Sequence, residues 1–362
     1  MRVHLPELNI QSSGALDIAH KSSFLVGGVS VQLSGNLQND VALGPALLPF
    51  HFGGETPNIL IQVERSENLM PSSSRDLLFD SGSVWRLYRA GDALQFDFSS
   101  SVLGDGPYKR LLVDNRFTNA MLSLSHTSFS DRSPAAPVEY PLDELLIMHR
   151  LTQERAIELH GAGIVRANGE SNLFVGHSGA GKSTTTRLWT SQEEVTVLSD
   201  DRIIVRPDMV GEDHGETPFR SGDGAGGLGV LRLRDGSASR NHHSAQGDNV
   251  KKHLGRDDNT KPGPMRMYGT PWHGEAMFAS PNSAPLTRIF ILEHGQGNVI
   301  TRLSRSQAVG ELFARSFVPF HRHEYVDSAL SFLEQLADSV PCYRYSFEPD
   351  QRAVDKIIHF HD

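Results

Sequence analysis

Eight consecutive residues, Gly176-His177-Ser178-Gly179-Ala180-Gly181-Lys182-Ser183, constrain this chain more than any other stretch of it. They complete the pattern G-x-x-x-x-G-K-[ST], a loop whose successive backbone N–H groups turn inward on phosphate oxygens. An apolar strand, Leu173 to Val175, leads into the loop, and a helical run, Ser183 to Thr190, leads out of it. That strand, loop and helix order is what makes the pattern specific. Glycines at 176, 179 and 181 permit positive φ and close backbone approach, and the helix N-terminus adds partial positive charge. The expected ligand is a nucleoside triphosphate, ATP, with Mg2+. Gly176, His177, Ser178, Gly179, Ala180, Gly181, Lys182, Ser183 and Thr184 are the expected cradle. Lys182, on a solvent-facing loop, reaches the β and γ phosphates, and the Ser183 hydroxyl ligates the metal.

A magnesium ion held only by a serine and phosphates needs a carboxylate, and the next apolar strand, Val195 to Leu198, ends at Ser199-Asp200-Asp201. Residues at a strand end can converge on one site, so either Asp200 or Asp201 can hold the metal while the other takes a proton. The two roles are not separable at this level. His160 precedes the strand pair Ala162 to Val165 and Asn172 to Val175, which places its imidazole near the phosphates. His273 and Glu275 follow a Gly-Thr-Pro turn and Trp272, an arrangement suited to a fixed loop at a site edge. His242-His243 and the His321/His323 pair read as solvent-exposed.

A chain of 362 residues has room for two domains. From Met1 to about Tyr140, short β-prone stretches (Phe24 to Leu33, Ile59 to Glu64, Val84 to Tyr88, Leu94 to Phe98, Arg110 to Val113, Ala120 to Ser125) alternate with turn residues, which predicts a mainly antiparallel β domain. The proline-rich stretch 131–141 is the joint. Leu142, Leu145, Leu146, Met148 and Leu151 recur at helical spacing, with Asp143 and Glu144 placed to complement the helix dipole. This helix opens a second domain, 141–362. There the pattern predicts strands at Arg202 to Arg206, Leu286 to Glu293, Val299 to Leu303 and Val340 to Phe347. Helices are expected at Ser306 to Arg315, at Tyr325 to Asp338 and from Asp350. The polar, glycine-rich stretch 211–264 reads as a disordered insertion.

The formal charge of −9 argues against nucleic acid as a partner. Glu7, Asp17 and Lys21 interrupt the first residues, so no signal-peptide apolar run is expected, and no stretch approaches the roughly 20 apolar residues of a membrane helix. Cys342 is the sole cysteine, which excludes an intramolecular disulfide and suits the cytoplasm. It reads as a packing residue. Homo-oligomerisation is left open.

The runs Glu158-Leu159-His160-Gly161-Ala162-Gly163, Val175 to Thr184 and Leu198-Ser199-Asp200-Asp201 together resemble the HPr kinase/phosphorylase family and its relative, phosphoenolpyruvate carboxykinase. The resemblance covers about 150–206 and, more loosely, 265–358, where Gly269-Thr270-Pro271-Trp272 and Ser339-Val340-Pro341 look like bacterial members of this kinase-like group. It implies an α/β fold with α+β character: a mixed β-sheet P-loop core behind a mainly β N-terminal domain. It also implies an ATP-dependent kinase acting on a hydroxyl, with a serine of a protein, a peptide or a small molecule as the expected target. Lys182, Asp200, Asp201 and His160 are its expected catalytic residues, and Ser183, Asp201 and Asp200 its metal ligands. Gly226-Gly227-Leu228-Gly229-Val230 lacks the acidic and arginine lead of the family's phosphorylase signature, and residues 1–140 do not resemble the usual N-terminal domain, which argues against HPr itself as acceptor. A nucleotide-dependent switch or assembly protein, and a carboxykinase-type enzyme, are the competing readings.

Overall fold

Period-2 burial builds the first sheet. In the strand Ile59–Ser66, Ile59, Ile61 and Val63 turn inward while Leu60, Gln62 and Glu64 face solvent, and Pro107–Asp114 repeats the alternation. In this computed structural model, which describes residues 20–54, 56–67, 69–104, 106–126, 136–208 and 264–361, eight strands form that sheet. They are β1 (His20–Val26), β2 (Val29–Gly35), β3 (Ile59–Ser66), β4 (Leu77–Asp80), β5 (Trp85–Ala90), β6 (Ala93–Ser99), β7 (Pro107–Asp114) and β8 (Asn119–Ser125). Their order is β1-β2-β3-β8-β7-β6-β5-β4. All neighbours are antiparallel except that β3 runs parallel to both β2 and β8.

The stretch Phe24 to Leu33, read from sequence as one β-prone run, is a hairpin. Gly27 and Gly28 have φ of +58° and +79°, the left-handed pair that a two-residue hairpin turn requires. The turn also docks: Arg206 donates from Nη1 to the Gly27 carbonyl at 3.0 Å, and a Cβ on Gly27 would meet Ile204 at 2.5 Å.

The remainder runs α1 (Leu142–Leu151), β9 (Ile157–Arg166), β10 (Ser171–Val175), α2 (Lys182–Gln192), β11 (Val195–Ser199), β12 (Arg202–Pro207), β13 (Met265–Tyr268), β14 (Ser283–Pro285), β15 (Arg288–His294), β16 (Val299–Arg302), α3 (Arg305–Phe313), β17 (Ser316–Phe317), α4 (His323–Ser339), β18 (Cys342–Phe347) and α5 (Gln351–Ile358). A second mixed sheet has the order β14-β13-β12-β9-β10-β15-β18-β16, with β11 and β17 also pairing on β9. Only β10 with β15 and β15 with β18 are parallel. The strands read at Leu286 to Glu293 and Val299 to Leu303 are both present, but β18 lies between them.

Why this sheet is apolar on both faces follows from its cover. Leu173, Val175, Ile289 and Ile291 enter one cluster with Leu312 of α3 and Phe332, Leu333 and Leu336 of α4. The alternate residues Phe174, Phe290 and Leu292 enter another with Trp189 of α2 and Ile357 of α5. At the β12–β13 end the first sheet supplies the cover: Ile204, Tyr268 and Trp272 belong to the same core as Phe24, Phe96 and the apolar face of α1. The described residues on both sides of position 140 form one compact unit. Asp143 and Glu144 stand in the first turn of α1, as expected, and both are buried. Asp143 accepts a hydrogen bond from Trp272 Nε1 at 3.0 Å, and Glu144 pairs with Arg202 Nε at 2.8 Å.

The fold is thus mixed α/β with two mixed sheets and five helices among the described residues. No helix among them is long and apolar enough to cross a membrane. Apart from Pro264, the 211–264 insertion lies outside the described residues, as do Gly226 to Val230 and His242-His243. Cys342 is buried, and burial pushes its thiol up to about 12, consistent with packing. His321 was expected at the surface and is half-buried, its ring 5.2 Å from His149 and edge-on to Tyr325. His323 is exposed as expected.

Candidate functional site

The glycine loop joins β10 to α2. Gly179 and Gly181 have φ of +80° and +97°, the left-handed region that glycine enters without steric cost. A Cβ on Gly181 would also strike the Phe347 ring at 2.6 Å. Two residues outside the motif hold the loop: Phe347 packs beneath it, and His294 Nε2 hydrogen-bonds the Gly179 carbonyl at 2.7 Å while its ring stacks on Phe347. The first-turn amides of α2 have no intrahelical acceptor by construction, so they are available to an anion. His177, Ser178 and Gly179 are exposed, and Ser183 and Thr184 half-buried.

Lys182 departs from the expected solvent-facing position. It is buried, with Nζ donating to the Gly176 and His177 carbonyls at 3.0 and 3.2 Å. Burial lowers its pKa to about 8, partly opposed by Asp201 and reinforced by Arg202.

Strand register brings the other residues to this loop. Val175 pairs with Gly161 and His160 with Arg202. The His160 carbonyl accepts from Gly176 N at 3.1 Å, and Gly161 N donates to the Asp201 carbonyl at 3.0 Å. His160 therefore sits between the entrance of the glycine loop and the aspartate pair, and its Nε2 lies 2.8 Å from Asp201 Oδ1. Burial alone would raise the Asp201 carboxyl, but the His160 hydrogen bond and the Arg202 guanidinium outweigh it and hold Asp201 below the ordinary aspartate range. Asp201 is ionised at neutral pH.

Asp200 turns the other way. Its carboxylate is buried and accepts three backbone N–H groups, from Gly274 at 2.9 Å, Ala276 at 2.8 Å and Phe278 at 3.2 Å. It anchors the loop that carries His273 and Glu275, both of which are exposed. Thr270 Oγ1 ties the start of that loop to the Arg202 carbonyl at 2.8 Å. The two aspartates are adjacent in sequence but face different partners.

Two arginines complete the group, and the sequence reading singled out neither. Arg202 reaches Asp201 Oδ2 and Glu144, lies 3.4 Å from Glu158 Oε1, and stacks 4.0 Å over the Phe317 ring. Arg315 is buried, held by Glu311, and its carbonyl accepts from His160 N at 2.8 Å. Its charge depresses both His177, where burial is the larger cause, and Lys182. The only sequence signal for either was position: one follows the aspartate pair, and the other ends the helix expected at Ser306 to Arg315.

Glu158 is fully buried, and neither of its carboxyl oxygens meets a hydrogen-bond partner. Burial and the neighbouring Glu144 carboxylate push its pKa well up, against the opposing pull of Arg202. Its folded-state pKa exceeds the unfolded one, so the protonated form stabilises the fold below the ordinary glutamate range, and that contribution is lost as pH rises through the folded value. Glu158→Gln mimics the protonated acid. It is expected to match wild type near pH 4.5 and to be more stable by about 1 kcal/mol or more at pH 8, as urea titrations at the two pH values would measure. Equal stability at pH 8 would mean that Glu158 is ionised in the native protein.

The residues present fit a magnesium nucleotide: open-turned amides, a buried lysine, the Ser183 hydroxyl and an ionised Asp201. Beside Asp201 a cavity of about 650 Å³ opens between residues 42–47 of the β2–β3 connection, the 136–140 joint and Pro271-Trp272-His273. No protein-family model matches this chain, and no curated protein matches it.

Proposed function

We propose that the chain is an ATP-dependent kinase resembling the HPr kinase type, which transfers the γ-phosphoryl group to a hydroxyl of a protein, peptide or small molecule. The observation that carries this reading is the His160–Asp201 pair, 2.8 Å apart, brought by strand register to the entrance of the glycine loop. Bound Mg-ATP would supply the phosphoryl group and the metal charge. The loop amides and Lys182 would hold the phosphates, and Ser183 and Asp201 the metal. Arg315 adds positive charge on the side of His160. The acceptor hydroxyl would lose its proton to the Asp201–His160 pair, in which the carboxylate fixes the imidazole and carries the negative charge. Asp200 takes no part in that transfer and keeps the 274–278 loop in place. A cavity beside Asp201 favours this reading over a nucleotide switch, which needs no acceptor site.

Purified protein incubated with γ-labelled ATP, Mg2+ and a lysate of its own cells is expected to label an acceptor, and Asp201→Asn to abolish that label and weaken magnesium-dependent ATP binding. Release of inorganic phosphate alone would favour the switch.

A further inference from the structure

The cavity beside Asp201 is not a by-product of the glycine loop. Its wall comes from three separate parts of the chain: residues 42–47 between β2 and β3, Val138 and Tyr140 of the joint before α1, and Pro271 and Trp272 of the docked turn. At about 650 Å³ it falls within the range of sites that enclose a small organic molecule. Most of its surface is apolar. Asp201 and Arg202 line the cavity and are also members of the charged group around Lys182.

The charges on the wall are unequal. Glu139, Asp143 and Asp201 are acidic, against Arg202 alone among lysines and arginines. That guanidinium is already engaged by Asp201 and Glu144 and lies 3.4 Å from Glu158. Lys109 Nζ, near the same region, is buried against the Pro137 carbonyl and 3.7 Å from Glu139. An anionic guest would meet a wall on which carboxylates outnumber cations and whose guanidinium is already engaged, whereas a neutral or cationic guest would not meet that repulsion.

We propose that this cavity binds an amphipathic organic molecule or peptide segment that is neutral or cationic, with its apolar body against residues 42–47 and Trp272 and its hydroxyl against Asp201. The placement of the hydroxyl rests on the kinase reading; the binding preference does not. The connection between β2 and β3 is then the part of the protein that selects the acceptor.

Three dipeptides of matched size test this by calorimetric titration of the full chain without nucleotide: phenylalanyl-serinamide (cationic), N-acetyl-phenylalanyl-serinamide (neutral) and N-acetyl-phenylalanyl-serine (anionic). The first two are expected to bind at least about tenfold more tightly than the third. Ala46 is exposed on the cavity wall, so Ala46→Trp should weaken both by a similar factor and leave ATP affinity unchanged. Ala42→Lys, also on the exposed wall, should bring the anionic peptide closer to the other two, which keeps the test informative if the tryptophan variant folds poorly. Equal binding of all three peptides, binding of none, or peptide binding indifferent to both substitutions would overturn the proposal. Absence of label on a bound peptide after addition of γ-labelled ATP would count against the kinase reading and leave the cavity assignment standing, because binding is read without nucleotide.

Discussion

Asp201→Asn is expected to lower phosphoryl transfer by about a hundredfold or more and to change stability by no more than about 1 kcal/mol, whereas Asp200→Ala should destabilise the fold by about 3–5 kcal/mol. Asp201 is partly exposed and bonded to His160 and Arg202. Its loss removes the charge that fixes the imidazole and leaves Arg202 with Glu144 as a partner. Asp200 is buried, and its removal orphans three backbone donors at once, those of Gly274, Ala276 and Phe278. Each bond from an N–H to a charged acceptor contributes about 1.5–3 kcal/mol, and relaxation of the loop toward water recovers part of the loss. Urea unfolding and single-turnover transfer, measured on both variants, separate the roles. His160→Ala should follow Asp201→Asn in rate while sparing ATP affinity. If Asp200→Ala unfolds like wild type but loses magnesium-dependent ATP binding, the assignment of the two aspartates is reversed.

Lys182→Met should reduce ATP affinity by at least about a hundredfold and, in the free protein, raise stability at pH 7 by about 1–2 kcal/mol. Burial lowers the folded lysine from 10.5 to about 8. Between those values the unfolded chain binds the extra proton, so wild-type stability rises with pH through that window. Below pH 8 the folded protein holds the lysine protonated in a site that disfavours its charge, at a cost of about 3 kcal/mol. Methionine fills a similar volume without that cost, though the two hydrogen bonds to the Gly176 and His177 carbonyls are lost. The variant's melting temperature should therefore be higher at pH 7, and its stability should no longer climb between pH 8 and 10. A variant that melts lower than wild type at pH 7 would show that the ammonium is well solvated in solution. An unchanged melting temperature, the expectation for a solvent-facing lysine, would point the same way.

Local pattern determined much of this protein. The glycine loop, the strand before it and the helix after it were legible because phosphate-loop chemistry depends on residues a few positions apart. The helices α1, α3 and α4 and the strands β11, β12 and β18 were legible because apolar periodicity records which face is buried. The hairpin at Gly27-Gly28 was missed although the Gly-Gly pair inside the β-prone run is itself a turn signal, since only glycine enters both left-handed φ without cost.

What the sequence left open depends on contacts between distant segments. Whether Asp200 or Asp201 faces the glycine loop is not a property of the dipeptide; it is set by the 274–278 amides, more than 70 positions along the chain, which claim one carboxylate and leave the other to His160. Lys182 looked solvent-facing because its motif is polar, yet the carbonyls of its own loop bury it. Arg315 and Glu158 stood only as the end of a predicted helix and the start of a quoted run, because whether a charged side chain is buried, and beside what, is set by segments distant in the chain. The cavity joins residues 42–47 to 271–273, a separation over which periodicity conveys nothing, and it exists only because the first sheet packs over Ile204, Tyr268 and Trp272. Sequence spacing determined the glycine loop; tertiary packing decided which charges face it and what lines the cavity beside it, because burial and charge pairing are settled by neighbours in space.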